Sequence, residues 1–347
     1  MGRYLWQLAG AFIASLFFVI AFNVVVDVNG LYHPRARALV AQRYVNLLLN
    51  SRDGLVKSPY ERAVKLALLR ATSADCYVTG SSHEMQISLK NFEPAQLRCK
   101  ALINVATSGS SYEDLITDLG ILKSRANLKA LYIGVGPWML RRHADKRWAE
   151  QIDDYRAALR NLGLRPLSRK AELIEQLRLG RNAINSEYFT RNVESLFESA
   201  EAIRPATERG SSDALTLPDG VLLYSAEFLA TKPPPIGAVG DGSYQIAEPY
   251  VDPVIVSDLE HALTLFTQKD VHIAFVLMPY HPKVMMCANP GVCSCLRAVS
   301  AATHSLATHL GSNAEVIGSY DPRMFGLTPS DFYDDMHLTR TAIARVR

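Results

Sequence analysis

The stretch Asp75-Cys-Tyr-Val-Thr79-Gly80-Ser81-Ser82-His83 decides how the chain reads. Cys76 to Thr79 form a short run with no regular polar face, and the run passes straight into a glycine and two serines. A strand without a polar face fits a parallel sheet covered on both sides. Gly80 allows a tight turn, and a serine just after it stands at the carboxyl edge of the sheet, where open α/β folds bind ligands. The texture then repeats. Ala101–Val105 leads into Thr107–Ser111, Leu128–Ile133 into Gly134-Val-Gly136, His272–Met278 into Pro279-Tyr280-His281-Pro282, and Glu315–Ile317 into Gly318-Ser319. Helical patterns at Glu84–Leu89, Tyr112–Arg125, Val256–Thr267 and Leu296–Leu310 alternate with these runs. The expected fold is α/β: a three-layer α/β/α sandwich around a parallel five-stranded sheet.

Composition agrees with a packed domain. The chain has 347 residues, 48% hydrophobic and 20% charged, which excludes wholesale disorder and a polytopic membrane protein. Thirty-seven basic against 34 acidic residues give a net charge of +3, too little for a protein that binds nucleic acid by neutralising phosphates. No nucleic-acid partner is expected. Leu5 to Val26 carries no charge, and at 1.5 Å per residue it reaches across a hydrocarbon core of about 30 Å. It exceeds the apolar core of a cleaved signal peptide and lacks a clear small-residue cleavage site, so it reads as an uncleaved anchor. The basic residues do not decide its orientation, since Arg3 precedes it and Arg35, Arg37 and Arg43 follow.

Five cysteines are too few for a disulfide-built scaffold, so a core must hold the fold. Cys76 and Cys99 open neighbouring strands and lie within reach of a bridge, which points to an oxidising compartment. Cys287, Cys293 and Cys295 crowd one loop, but no second Cys or His pair stands at zinc spacing, and no metal is expected. The chain therefore divides into an anchor (1–26), a juxtamembrane stalk and helix (27–74), and a soluble domain (75–347). The domain carries an insertion at about 141–250, read either as a surface elaboration or as a lid over a groove. The location expected is the cytoplasmic membrane, single-pass, with the domain on the periplasmic side.

Near the far end of the sequence, Asp331-Phe-Tyr-Asp334-Asp335-Met336-His337-Leu-Thr339 contains Asp-x-x-His. Three residues on one turn let a carboxylate reach the imidazole Nδ1 and leave Nε2 free to take a proton from a serine. Together, Gly80-Ser81-Ser82 and Asp334-x-x-His337, in this order and fold class, resemble the SGNH (GDSL-like) hydrolase superfamily. The resemblance implies that Ser82 is the nucleophile, His337 the base and Asp334 its orienting acid. It also implies that Gly109, in Asn104-Val-Ala-Thr-Ser-Gly109, donates a backbone N–H to an oxyanion. The family's Asn donor after the third strand is replaced here by Gly134-Val-Gly136-Pro-Trp138. The anchor, Gly-Ser-Ser, Pro-Trp, Pro-Tyr-His-Pro and Asp-x-x-His-Leu resemble an anchored envelope branch whose relatives acetylate alginate or D-alanylate teichoic acid. The likeness covers roughly 75–140 and 255–347.

The resemblance implies serine-dependent O-acyl transfer or ester hydrolysis on an envelope or secreted polysaccharide, with acetyl the leading acyl group. No cofactor is expected. The partners expected are an acylated polysaccharide or acyl donor, the membrane, and a membrane-bound acyltransferase. The alternative is a catalytically impaired binding or assembly protein on the same scaffold. Ser81, His83, Tyr280 and His281 stand at the same strand ends as candidate oxyanion or substrate contacts. For His83 the competing reading is a solvent-facing helix start, and for Tyr280 and His281 it is packing. Trp138 reads as a core aromatic before a sugar platform.

Overall fold

The structure, a computed structural model, describes residues 2–27, 32–92, 99–141, 145, 147–195, 203–210, 213–230, 250–286 and 290–346. The chain opens with α1 (Gly2–Val26), α2 (Pro34–Leu49), β1 (Leu55–Val56) and α3 (Glu61–Ala71). There follow β2 (Cys76–Thr79), β3 (Leu102–Asn104), α4 (Tyr112–Leu122), β4 (Ala130–Gly134), α5 (Ile152–Leu162), α6 (Arg169–Ala183) and α7 (Ser186–Ser195). Next come β5 (Leu215–Thr216), β6 (Leu222–Leu223), α8 (Ala226–Ala230), α9 (Pro253–Thr267), β7 (His272–Leu277) and α10 (Pro282–Met285). The last elements are α11 (Pro290–Leu310), β8 (Ala314–Gly318) and α12 (Arg340–Ile343).

Five strands form one parallel sheet in the order β3-β2-β4-β7-β8. Side chains alternate across it, as the period of a strand requires. Tyr77, Leu131, Ile133, Ile273 and Phe275 pack into the larger core with α4, α5, α9 and α11. Val78, Ala130, Tyr132, Ala274 and Val276 enter a second cluster with Phe92, Leu338 and Ile343. The strands β2, β4 and β7 are thus buried on both faces, which is why they read as continuous apolar runs, while the edge strand β8 keeps Glu315 exposed. From β2 the chain moves to β3 on one side and then to β4 on the other. The neighbours β2 and β4 therefore flank a topological switch point, the place where open α/β sheets bind ligands beyond the carboxyl ends of their strands.

The helices have local reasons to start and stop. Asp252 accepts from Val254 N at 2.8 Å ahead of Pro253, opening α9. Gly163, with φ +72°, ends α5 in the left-handed conformation. One expected helix is missing. Glu84–Leu89 forms consecutive turns, because Asn104 Nδ2 donates to the Glu84 and Ile87 carbonyls at 2.7 and 3.0 Å. A helical path would direct those carbonyls along its own axis.

The stretch 34–71, expected as a stalk and helix, is built into the domain. Tyr44, Val45 and Leu48 of α2 pack on Val64 and Leu68 of α3, while Leu66 and Leu69 join the main core. The described parts of the insertion do three different things. Trp148 and α5 cover the sheet through Tyr155, Ala158, Leu159 and Leu162. The short strands β5 and β6 pair antiparallel with β1 in the order β1-β5-β6. Helices α6 and α7 lie against α1. Pro233–Pro235 lies outside the described residues.

Cys76 and Cys99 are bridged, with Cα atoms 5.7 Å apart, as the strand neighbourhood predicts. Cys293 is also disulfide-bonded, Cys295 is a buried free thiol, and Cys287 lies outside the described residues. Arg3–Val26 is one helix long and apolar enough to cross a membrane.

Candidate active site

The site begins where β2 ends. Gly80 has φ +146°, and a Cβ there would approach Glu84 Oε2 at 2.7 Å and Gly134 Cα at 3.0 Å. A side chain at Gly134 would overlap the Glu84 carboxyl carbon itself. The two glycines thus leave room for a buried carboxyl directly behind the serine turn. Glu84 Oε2 accepts the Ser81 N–H at 2.7 Å and the Ser81 hydroxyl at 3.1 Å. Burial pushes this carboxyl up to about 8, against the lowering effect of the Ser81 hydrogen bonds. With turns in place of the expected helix, this network holds Ser81 and so the turn that carries Ser82.

Ser82 is half-buried, and its Oγ lies 2.7 Å from His337 Nε2. The other ring nitrogen, Nδ1, lies 2.7 Å from Asp334 Oδ2. Asp334 Oδ1 accepts the backbone N–H groups of Met336 and His337 at 2.9 and 2.7 Å. Burial alone would raise the Asp334 carboxyl, but the His337 ring and these two N–H groups hold it down at about 2. A bridge pairs Phe332 with Leu338 across this turn, and both side chains are buried. Ser82, Asp334 and His337, 255 residues apart at the extremes, therefore meet in one hydrogen-bonded line.

The remaining candidates fall at different distances from that line. His83 is 6% exposed, its ring centroid 5.0 Å from that of His337 and 5.2 Å from that of Tyr280. Its Nε2 has no hydrogen-bond partner among the described residues. Burial, reinforced by the His337 charge, lowers this imidazole to about 3, so it stays neutral. Tyr280 is buried between His83 and Tyr320. His281 is buried too; its Nδ1 accepts the Lys283 N–H at 3.2 Å at the start of α10, and its ring packs on Phe332. Ser81 is fully buried, with its hydroxyl held by Glu84. Trp138 is a core residue whose Nε1 donates to Ser110 O at 2.7 Å.

Gly109 sits in the β3–α4 loop at φ +58°. Helix α3 clamps this loop. Arg62 Nη2 donates to the Ser108 and Gly109 carbonyls at 3.1 and 3.3 Å, and Glu61 Oε1 accepts the Ser108 N–H. Arg62 also pairs with Asp114 at 3.0 Å, both side chains buried. Asp114 in turn accepts the Ser111 N–H at 2.9 Å at the head of α4.

The insertion reaches the site through its hairpin. Leu222 N donates to Met85 O at 2.9 Å and Asn104 N to Asp219 O at 2.8 Å, so the hairpin is pinned to the serine turn and to β3. Buried Lys65 adds bonds to Asn104 O and Gly220 O at 3.0 and 2.6 Å. Just beyond the hairpin, Tyr224 touches Tyr333 (centroids 5.7 Å), and Tyr333 stacks flat on His337 at 5.4 Å with 5° between the planes.

Sequence reasoning missed Glu84, the α3 clamp and Tyr333. For Glu84 a signal existed, a carboxylate directly after Ser-Ser-His with small glycines at the facing strand end. The clamp residues carry no local pattern. No protein-family model matches the chain, and no curated protein matches it.

Proposed function

We propose that the protein is a serine-dependent acyl enzyme that transfers or hydrolyses O-acyl groups, acetyl foremost, on an envelope or secreted polysaccharide. The observation that carries this reading is the line Ser82 Oγ, His337 Nε2, His337 Nδ1 and Asp334, with two successive 2.7 Å separations. Ser82 Oγ attacks the ester carbonyl carbon, and its proton passes to His337 Nε2. As the tetrahedral intermediate collapses, the leaving alcohol takes that proton, and the acyl group remains on Ser82. A water or sugar hydroxyl then gives its proton to His337 as it attacks the acyl carbon, and as the second tetrahedral intermediate collapses His337 returns that proton to Ser82 Oγ while the acyl product leaves. Asp334 keeps the imidazole oriented and stabilises its cationic form. The steps use side chains and backbone alone.

The oxyanion donors in this reading are the N–H groups of Ser82 and Gly109. His83 Nε2, buried beside the catalytic imidazole and without a hydrogen-bond partner among the described residues, suits the role left open by the absent Asn. The parallel sheet, its central strands buried on both faces, supports a three-layer α/β/α sandwich of the SGNH type. The apolar α1 and the Cys76–Cys99 bridge support a single-pass anchor with the catalytic domain on the periplasmic side. Anchoring would keep the enzyme beside a membrane-bound acyltransferase that supplies the acyl group, raising effective concentration without new contacts.

A fluorophosphonate probe tests the reading. One label per chain, lost in Ser82→Ala, supports the enzyme. No labelling of folded protein, with polysaccharide still bound, supports a binding protein on this scaffold instead.

A further inference from the structure

We propose that the α6–α7 hairpin is a second membrane element, immersed in the leaflet on the domain's side and seated beside α1. The proposal rests on the reading of α1 as a membrane anchor. The hairpin touches α1 well inside its apolar span. Phe189 packs on Phe22 and Phe18 with ring centroids 4.9 and 6.3 Å away, and Ile184 and Phe189 line one groove with Phe12, Leu16 and Val19.

Length arithmetic excludes placing this contact above the bilayer. The whole helix Arg3–Val26 has 24 residues, about 36 Å at 1.5 Å per residue, enough for a core of about 30 Å. If the membrane ended below the ring contact at Phe18, Arg3 to Phe17 alone would have to cross, about 22 Å. That falls short of what is required. Either the hairpin enters the leaflet or α1 does not span.

The hairpin is built for that solvent. Leu173, Leu177 and Ile184 recur at i, i+4 and i+11 and form one stripe along α6 into the turn, with Leu177 64% and Ile184 53% exposed. Ile184, at the end of this stripe, shares a groove with Phe12 of α1, which is 70% exposed. The carbonyls freed at the end of α6 are satisfied from α1. Asn23, fully buried, donates from Nδ2 to Ala183 O at 2.9 Å and Asn185 O at 3.3 Å, and its Oδ1 accepts from Asn192 at 3.0 Å. In hydrocarbon a polar backbone group needs such a partner. Glu187, the acidic group nearest the turn, is paired with Arg191 at 2.8 Å. Lys170 and Arg181 flank the stripe, where long basic side chains extend toward lipid phosphates. The occupant of the open face is therefore phospholipid.

The test uses full-length protein in nanodiscs of phosphatidylethanolamine and phosphatidylglycerol, with Cys295→Ala as background. Nitroxide labels at Ile184→Cys, Leu177→Cys, Phe12→Cys and, as an aqueous control, Met324→Cys are read by power saturation. Collision with oxygen should exceed collision with a water-soluble nickel complex at Phe12, Ile184 and Leu177, and the order should reverse at Met324. An oxygen-rich Phe12 with nickel-accessible Ile184 and Leu177 overturns the hairpin proposal while leaving the anchor intact. Nickel access at Phe12 overturns the anchor reading itself. Labels at Ile184 and Leu177 shielded from both reagents would mean a protein cover, such as a second copy, and would also overturn the lipid assignment.

Discussion

Glu84 and Ser81 are locked together directly behind Ser82, the glutamate Oε2 taking both the Ser81 N–H at 2.7 Å and its hydroxyl at 3.1 Å. The carboxyl that organises the serine turn is thus a buried one, pushed up to about 8 by its surroundings.

That shift predicts a pH slope. An unfolded glutamate loses its proton near about 4.3, whereas the folded one keeps it until about 8. Stability is therefore full below the unfolded value and declines as pH rises through this window. Glu84→Gln fixes the neutral form and should flatten the slope, read as denaturant midpoints at about pH 5 and about pH 8.5. Asp118, also buried and raised to about 8 while bound to Thr79, titrates in the same window. A slope unchanged in Glu84→Gln but removed in Asp118→Asn would transfer the effect to Asp118.

Removing the reacting groups should remove turnover and spare the fold. Ser82→Ala and His337→Ala are each expected to lower kcat by about 10⁶, and Asp334→Asn by about 10⁴, since Asp334 orients rather than reacts. Ester hydrolysis by the purified full-length chain, with circular dichroism as the folding control, provides the measurement. Near-normal activity in Ser82→Ala would remove the nucleophile assignment.

The Arg62–Asp114 pair is a positioning device for the loop bearing Gly109. Arg62→Met leaves Asp114 buried and uncompensated, a loss of about 3–5 kcal/mol in urea denaturation. It also releases the Ser108 and Gly109 carbonyls, so at temperatures where the variant is folded kcat should fall more than KM rises. Equal changes in the two constants would mean that the clamp serves stability alone.

Breaking the Cys76–Cys99 bridge, which spans 23 positions, should cost about 3 kcal/mol through the freed chain. Cys99→Ser tests it in thermal unfolding. Wild-type protein with both thiols free when taken from its native compartment would refute the bridge and the oxidising location.

Much of the fold was legible because burial on both faces leaves an unmistakable mark on short strands. All five strands of the main sheet fall on the apolar runs, and Tyr112, Thr267 and Leu310 bound helices as the periodicity predicts. Glu84–Leu89 misled because its helical spacing says nothing of Asn104, whose side chain captures the local carbonyls from a neighbouring strand. The helices α3 and α5 were assigned to a stalk and an insertion, since only tertiary packing reveals that Leu66 or Leu159 joins the sheet core. At the site, Ser82, Asp334 and His337 are recognisable because each sits in a short local motif. Arg62 and Asp114 are not, because their partnership exists only across two helices.

Tyr333 lies flat on the His337 ring and leans on Tyr224, beside the pinned hairpin. With 5° between the planes, Tyr333 covers one side of the His337 ring, so that ring cannot flip over without displacing Tyr333. The stack also ties the orientation of His337 to the hairpin side of the domain. A group displacing Tyr224 would shift Tyr333, and through it the ring that sits 2.7 Å from Ser82 Oγ. The insertion and the Ser82–His337 pair thus share one stack of rings.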